Sequence, residues 1–169
     1  KSKLRFINVR HQHGNLGNVG VQALGKTLAL LPALEDVVIG SNRNITDESV
    51  VGLLSPFLNK SLCSLRKIDI GWTNVSDAGV AVLAELMEKQ PLEEISIDST
   101  MITDEGLRLL GHALQNATCL LKKVYAWQLR ENKACSEEGV HDLLQGLRHC
   151  PNLVEVYVEG PNLSNETIQ

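Results

Sequence analysis

The chain predicts an α/β solenoid of parallel strands and helices, and three observations lead there. Six times a leucine opens the phrase Leu-x-x-apolar-x-apolar, at Leu4, Leu34, Leu65, Leu92, Leu121 and Leu153. The spacing between successive leucines runs from 27 residues (Leu65 to Leu92) to 32 residues (Leu121 to Leu153). Each phrase then leads into a helical period, and a unit of that length has room for one short strand and one full helix.

The strands come first in each unit. The phrases continue as Ile7/Val9, Val37/Ile39, Ile68/Ile70, Ile95/Ile97, Val124/Ala126 and Val156/Val158, the alternation of a half-buried strand. The helices follow as Val21/Leu24/Leu28, Val50/Leu53/Phe57, Val80/Leu83/Met87, Leu107/Leu110/Leu114 and Val140/Leu143/Leu147. Spacing of i, i+3, i+7 makes one apolar helix face. Four helix entries read Ile45-Thr46-Asp47-Glu48, Val75-Ser76-Asp77, Ile102-Thr103-Asp104-Glu105 and Cys135-Ser136-Glu137-Glu138. There a hydroxyl is expected to cap the first turn, with carboxylates at the positive end of the helix dipole.

The pattern L-x-x-L-x-L-x-x-N-x-L-T-D-E-G resembles the ribonuclease-inhibitor-like class of leucine-rich repeat over nearly the whole chain, best in the unit from Leu92 to Leu114. The resemblance implies an arc with parallel strands on the concave face and helices on the convex face. The asparagine of that pattern stands at Asn42, while Gln12, Thr73, Thr100, Leu129 and Pro161 take its place elsewhere. Thr and Gln can still bond loop backbone but Leu and Pro cannot, so irregular loops are expected there, especially over 128–134. The phrases Gly17-Asn18-Val19-Gly20-Val21-Gln22-Ala23-Leu24 and Ile102-Thr103-Asp104-Glu105-Gly106-Leu107 look like those of the C-terminal repeats of NLR innate-immune receptors. That likeness implies a cytosolic sensor whose repeats bind a ligand or hold a nucleotide-binding module inactive, with the ATP site in another domain. The alternatives are a free-standing inhibitor or scaffold of the ribonuclease-inhibitor type and, further off, a GTPase-activating repeat protein acting through rim arginines such as Arg10, Arg43 and Arg130.

Residues 1–169 are expected to form a single elongated domain of six repeats, 43% hydrophobic, belonging to a longer protein because neither end carries a polar cap. No apolar run approaches the 18 or so residues of a membrane span, and no signal-like segment leads the chain. Cys63, Cys119 and Cys150 precede strand leucines and Cys135 precedes a helix; all read as small buried free thiols, which favours a reducing cytosol. Five sequons, at Asn44, Asn59, Asn74, Asn116 and Asn165, read as turn and helix-entry chemistry more than as glycosylation sites. A net charge of −4 with no basic stripe argues against nucleic acid.

Alternation assigns the concave face. Its central column is Asn8, Val38, Asp69, Ser96, Tyr125 and Tyr157; the next is Arg10, Gly40, Gly71, Asp98, Trp127 and Glu159; a flanking column is His11, Ser41, Trp72, Ser99, Gln128 and Gly160. Of the six aromatic residues, Phe6, Trp72, Tyr125, Trp127 and Tyr157 fall on outward positions and Phe57 alone in a helix core. Aromatic groups gathered on one exposed sheet suit a protein interface. The expected binding residues are therefore Trp72, Tyr125, Trp127, Tyr157, Asp69, Asp98, Arg10 and Glu159. Their partner would be a protein ligand, an intramolecular domain of the parent protein, or a second copy. Asp69, Asp98, Glu93 and Glu94 beside Lys122 and Lys123 suggest that the partner presents Lys or Arg near apolar side chains. Taken singly, these carboxylates read as solvated surface.

Nothing in the chain spells an enzyme or calls for a cofactor or metal. Gly14, Gly17 and Gly20 follow G-x-x-G-x-x-G, the repeat's own helix entry and not the dinucleotide fingerprint. His11 and His13 have no further ligand at usable spacing, and no nucleophile, zinc or Walker motif appears.

Overall fold

A computed structural model of the protein describes residues 2–10, 16–59, 64–116, 119–129 and 135–159. Strands β1 (Phe6–Asn8), β2 (Asp36–Val38), β3 (Lys67–Asp69), β4 (Glu94–Ser96), β5 (Lys123–Ala126) and β6 (Glu155–Val158) alternate with five helices. These are α1 (Asn18–Leu28), α2 (Asp47–Leu58), α3 (Asp77–Lys89), α4 (Asp104–Asn116) and α5 (Glu137–Leu147). The strands form one parallel sheet in the order of the chain. Its register advances by one repeat per strand, so Ile7, Val37, Ile68, Ile95, Val124 and Val156 make one row across it. This is the leucine-rich-repeat solenoid that the period predicts.

The core lies between sheet and helices. Leu34, Leu65, Leu92 and Leu121 are buried, as are all the predicted helix-face residues except Leu24, which is half-buried against them. Each such side chain contributes about 1.5–3 kcal/mol through burial. The exceptions lie at the sheet edges, where Leu4 on the β1 side is 45% exposed and Val156 in β6 is 38% exposed. Each edge strand has one neighbour among the described residues and so only one repeat to pack against. On the helical side the backbones approach closely: a Cβ on Gly25 would meet the Gly52 carbonyl at 2.5 Å, and one on Gly146 would strike Gly111.

The asparagine position works as the resemblance implies. Asn42, 1% exposed, donates its amide to the carbonyls of Val9, Ile39 and Gly40 at 2.8–3.1 Å. Thr73 and Thr100 reach Ile70 and Ile97 carbonyls at 2.6 and 3.0 Å, so hydroxyls do substitute. Leu129 is fully buried and fills its place by packing alone. Gln12, Pro161 and most of the loop expected to be irregular, 130–134, lie outside the described residues.

The helix entries correct one expectation. Thr46 and Ser76 make no side-chain cap to their own helices, whereas Thr103 and Ser136 accept from the Glu105 and Glu138 N–H groups at 3.2 Å. What all four do is donate their hydroxyl to the preceding repeat: Thr46 to Asn18, Ser76 to Asp47, Thr103 to Asp77 and Ser136 to Asp104, at 2.6–3.1 Å. The same three aspartates accept the backbone N–H of Ser76, Thr103 and Ser136 at 2.6–2.8 Å. Each of these four helix starts is thus satisfied by a side chain from the start of the previous helix, an aspartate in three and Asn18 in the fourth, because stacked repeats put equivalent termini side by side. Gly79 belongs to this joint: a Cβ there would lie 2.7 Å from an Asp47 carboxylate oxygen. Among the sequons, Asn74 donates its amide to the Arg43 carbonyl at 2.7 Å, a turn role of the kind expected.

The cysteine reading is also corrected. Cys119 and Cys150 form a disulfide, their Cα atoms 5.0 Å apart. Near-equivalent sites in adjacent repeats sit about one strand spacing apart, 4.7–4.9 Å, which is already bonding distance for two cysteines. Cys135 is free and buried as expected, its thiol pushed up to about 12 by burial, with Asp104 and Asp77 adding to the rise. Cys63 lies outside the described residues. No described helix is long and apolar enough to cross a membrane.

At the strand starts, charge alternates across the sheet in two rows. One runs Arg5, Glu35, Arg66, Glu93, Lys122, and the other Asp36, Lys67, Glu94, Lys123, Glu155. Ion pairs bind Arg5 to Glu35 at 2.6 Å, Glu93 to both Arg66 and Lys122, Lys67 to Glu94, and Lys123 to Glu155 at 2.8 Å.

Candidate functional site

The candidate site is the outward face of the sheet beyond those charged rows. Tyr125 and Tyr157 are directly paired on β5 and β6, and this one-residue match stacks their rings 5.3 Å apart at 9°. Trp127, two residues on from Tyr125, leans on Tyr157 at 5.4 Å and 46°. Trp127 is 48% exposed and Tyr157 39%, so this is a cluster open to solvent. The Tyr157 hydroxyl bonds Glu155, which raises the phenol's pKa, while Lys123 followed by Tyr157 holds the Glu155 carboxyl low. Phe6, 50% exposed on β1, faces outward at the far end of the sheet.

Trp72 stands apart from the cluster. It is 42% exposed, with the Arg43 guanidinium 5.7 Å from its ring centre. Its backbone, like that of Ser41, Ser99 and Gln128 at the same position of neighbouring repeats, is left-handed, with φ of 59°. Parallel bonds hold these turns in line: Ser41 N–H to the Gly71 carbonyl, Trp72 N–H to Asp98, and Ser99 N–H to Trp127, at 2.6–3.0 Å.

The acidic residues differ from the expectation of solvated surface. Asp69 is 5% exposed; it pairs with Arg10 and accepts the Gly71 N–H at 3.0 Å. Gly40 and Gly71 make room for it, since a Cβ on Gly40 would come within 2.6 Å of its oxygen. Asp98 is half-buried and links the two tryptophans. Its carbonyl takes the Trp72 N–H and its carboxylate takes the Trp127 N–H, both at 2.6 Å, with the Ser96 hydroxyl on the other oxygen at 2.8 Å. Burial raises its pKa; the Trp127 N–H and the Ser96 hydroxyl oppose that rise, Asp69 adds to it and Arg10 lowers it. Glu93 and Glu94 are tied into the charge rows. The acidic half of the face is therefore already met by the chain's own donors, for a physical reason: the missing side chains of Gly40 and Gly71 let Asp69 and Asp98 settle against neighbouring repeats.

Of the expected binding residues, the structure gathers Tyr125, Trp127 and Tyr157 at one end, and joins Arg10 to Asp69 in the middle. Glu159 continues the line beyond β6, its N–H on the Ala126 carbonyl at 3.2 Å. The flanking positions His11 and Gly160, with His13, Gly14 and Arg130, lie outside the described residues. Gly17 caps α1 and Gly20 lies in its first turn, as the repeat reading has it.

Sequence reasoning named Arg43 only as a rim arginine and gave Ser41 no part beyond its column. With Arg10 and Trp72 they line a hollow of about 500 Å³. The signal was available in the spacing, because Arg43 and Trp72 sit either side of aligned turns in adjacent repeats. Among the described residues no group of His, Cys, Asp and Glu is arranged to hold a metal.

A family model described as "Leucine Rich repeat" matches residues 61–84. The chain is 28% identical over 157 residues to the mouse (Mus musculus) protein "NACHT, LRR and PYD domains-containing protein 12", covering 92% of this chain and 14% of that one. It is 24% identical over 187 residues to the pig (Sus scrofa) "Ribonuclease inhibitor", covering 93% of this chain and 40% of the inhibitor. It thus spans less than half the length of either relative. Among solved structures, the Caenorhabditis elegans tropomodulin C-terminal domain superposes with a TM-score of 0.71 at 20% identity, covering 88% of this chain and 86% of that one. That likeness shows the fold.

Proposed function

We propose that this chain, a leucine-rich-repeat solenoid of the ribonuclease-inhibitor-like class, recognises another protein through its outward sheet face as the sensing or autoinhibitory repeats of an NLR-type receptor. The observation that carries the reading is the exposed ring cluster of Tyr125, Trp127 and Tyr157, with Trp72 further along the same face. Large rigid rings that remain open to water on an otherwise satisfied surface are the groups that dominate interface energies. The match with the NACHT-containing relative supports the receptor role, and a cytosolic location comes with that role alone. The cysteines lend no support to a reducing compartment, since two of them are joined.

The pig inhibitor match, which takes in 93% of this chain, favours a second reading as an inhibitor or scaffold using the same face. The parent reading frame separates the two. A P-loop nucleotide-binding module upstream of Lys1 supports the receptor, and further repeats without another domain support the inhibitor.

The face itself is tested by capture from native lysate with the wild type beside a folded Trp72→Ala/Trp127→Ala variant. Each substitution should weaken a partner held there by about 2 kcal/mol. A partner held equally by both proteins moves recognition to the helices or loops.

A further inference from the structure

Resting on that reading, we infer that the hollow lined by Arg10, Ser41, Arg43 and Trp72 receives an aspartate or glutamate side chain of the partner, presented beside an apolar residue. The assignment begins with charge. The exposed charges nearby are compensated: Arg10 by Asp69, and Glu93 and Glu94 by their lysines and Arg66. Arg43 is different. Its guanidinium donates to the Thr73 carbonyl at 3.3 Å, the Ser99 carbonyl at 3.0 Å and the Ser99 hydroxyl at 3.0 Å. All three acceptors are neutral, and no carboxylate among the described residues lies within ion-pair distance of it.

A guanidinium carries five N–H donors in a fixed plane, and these bonds fix that plane without cancelling its charge. The guanidinium carbon lies over the Trp72 ring, 5.7 Å from its centre. The group is thus held in place before any partner arrives, which reduces the ordering cost of binding. A carboxylate can pair with it in the charge-assisted geometry that arginine favours. The exposed edge of Trp72 supplies an apolar wall for the neighbouring residue. The hollow's volume lies within the range of roughly 300–1,000 Å³ typical of binding clefts.

Charge also selects the class of anion. One uncompensated cation matches one carboxylate, whereas a phosphate dianion brings twice the charge and would face buried Asp69 just behind Arg10. The expected preference for a basic partner is thereby reversed at this end of the face, since its acids are already engaged.

The test is selection of a randomised peptide library displayed on phage against the full chain, with the enriched peptides then measured against variants. The expected peptides carry Asp or Glu next to an apolar residue. Their affinity should fall on the order of tenfold or more for Arg43→Gln, and as far when the peptide acid is changed to its amide. Because Arg43 also braces the Ser99 turn, Arg43→Glu provides the control: peptides with Lys in place of the acid should regain binding to it. Enriched peptides that are neutral or basic and indifferent to Arg43→Gln overturn the carboxylate site while leaving recognition by the face intact. Displacement by inorganic phosphate but not by acetate at equal ionic strength also overturns it, in favour of a phosphate group. Failure of every peptide to distinguish wild type from Trp72→Ala/Trp127→Ala overturns the underlying reading of the face as well.

Discussion

Asp98 shows how one residue can serve both shape and titration. Its carboxyl ionises above the ordinary 3.8 because burial penalises the charge. A folded-state value above the unfolded one means that the neutral form favours folding. That contribution is complete below the unfolded value and is lost as pH rises through the elevated one. Asp98→Asn keeps an acceptor for the Trp127 N–H and cannot ionise, so it should flatten the stability profile over that window and melt higher at neutral pH. An unchanged profile in chemical denaturation at several pH values would place the carboxyl in water. At Ser41, φ of 60° imposes on a non-glycine residue a strain of about 1–2 kcal/mol. Ser41→Gly relieves it at a cost in chain entropy of about 0.5–1 kcal/mol, so a net gain of roughly 0.5–1 kcal/mol in urea unfolding is expected. The columns of the sheet, and hence the places of Trp127 and Asp98, are legible in a period of two. The burial of Asp69 and Asp98 is not, because it depends on Gly40, Gly71 and Arg10 arriving from other repeats.

Among the elements, the helices were the most legible because i, i+3, i+7 is a local rule. Leu107 is fully buried where that rule puts it, and Leu107→Ala should cost about 2–5 kcal/mol in thermal unfolding. The helix entries were half legible. Their hydroxyls mark the starts correctly, yet the bonds run to the previous helix, an arrangement set by stacking and invisible within one repeat. Asp77 therefore belongs to α4 as much as to α3, taking the Thr103 N–H and hydroxyl at 2.8 and 2.6 Å. Asp77→Ala should destabilise by about 1–2 kcal/mol, as the loss of a cap does. Hydrogen exchange should quicken first at the start of α4, and exchange confined to α3 would contradict the shared joint.

For the molecule as a whole, repetition decides which contacts are possible. The Cys119–Cys150 bond closes a separation of 31 residues and holds the approach to β6, whose Tyr157 stacks on Tyr125 of β5. Cys119→Ser/Cys150→Ser should lose about 2–4 kcal/mol, and a linked peptide should appear in non-reducing digests; two singly alkylated peptides would show the pair apart. The two charged rows reach further. Because sign changes at every step, removing a single repeat from the middle would bring like charges face to face on both rows, whereas removing two would restore every match. Charge therefore favours lengthening or shortening the sheet by two repeats over a change of one, so the electrostatic period of the molecule is twice its structural period.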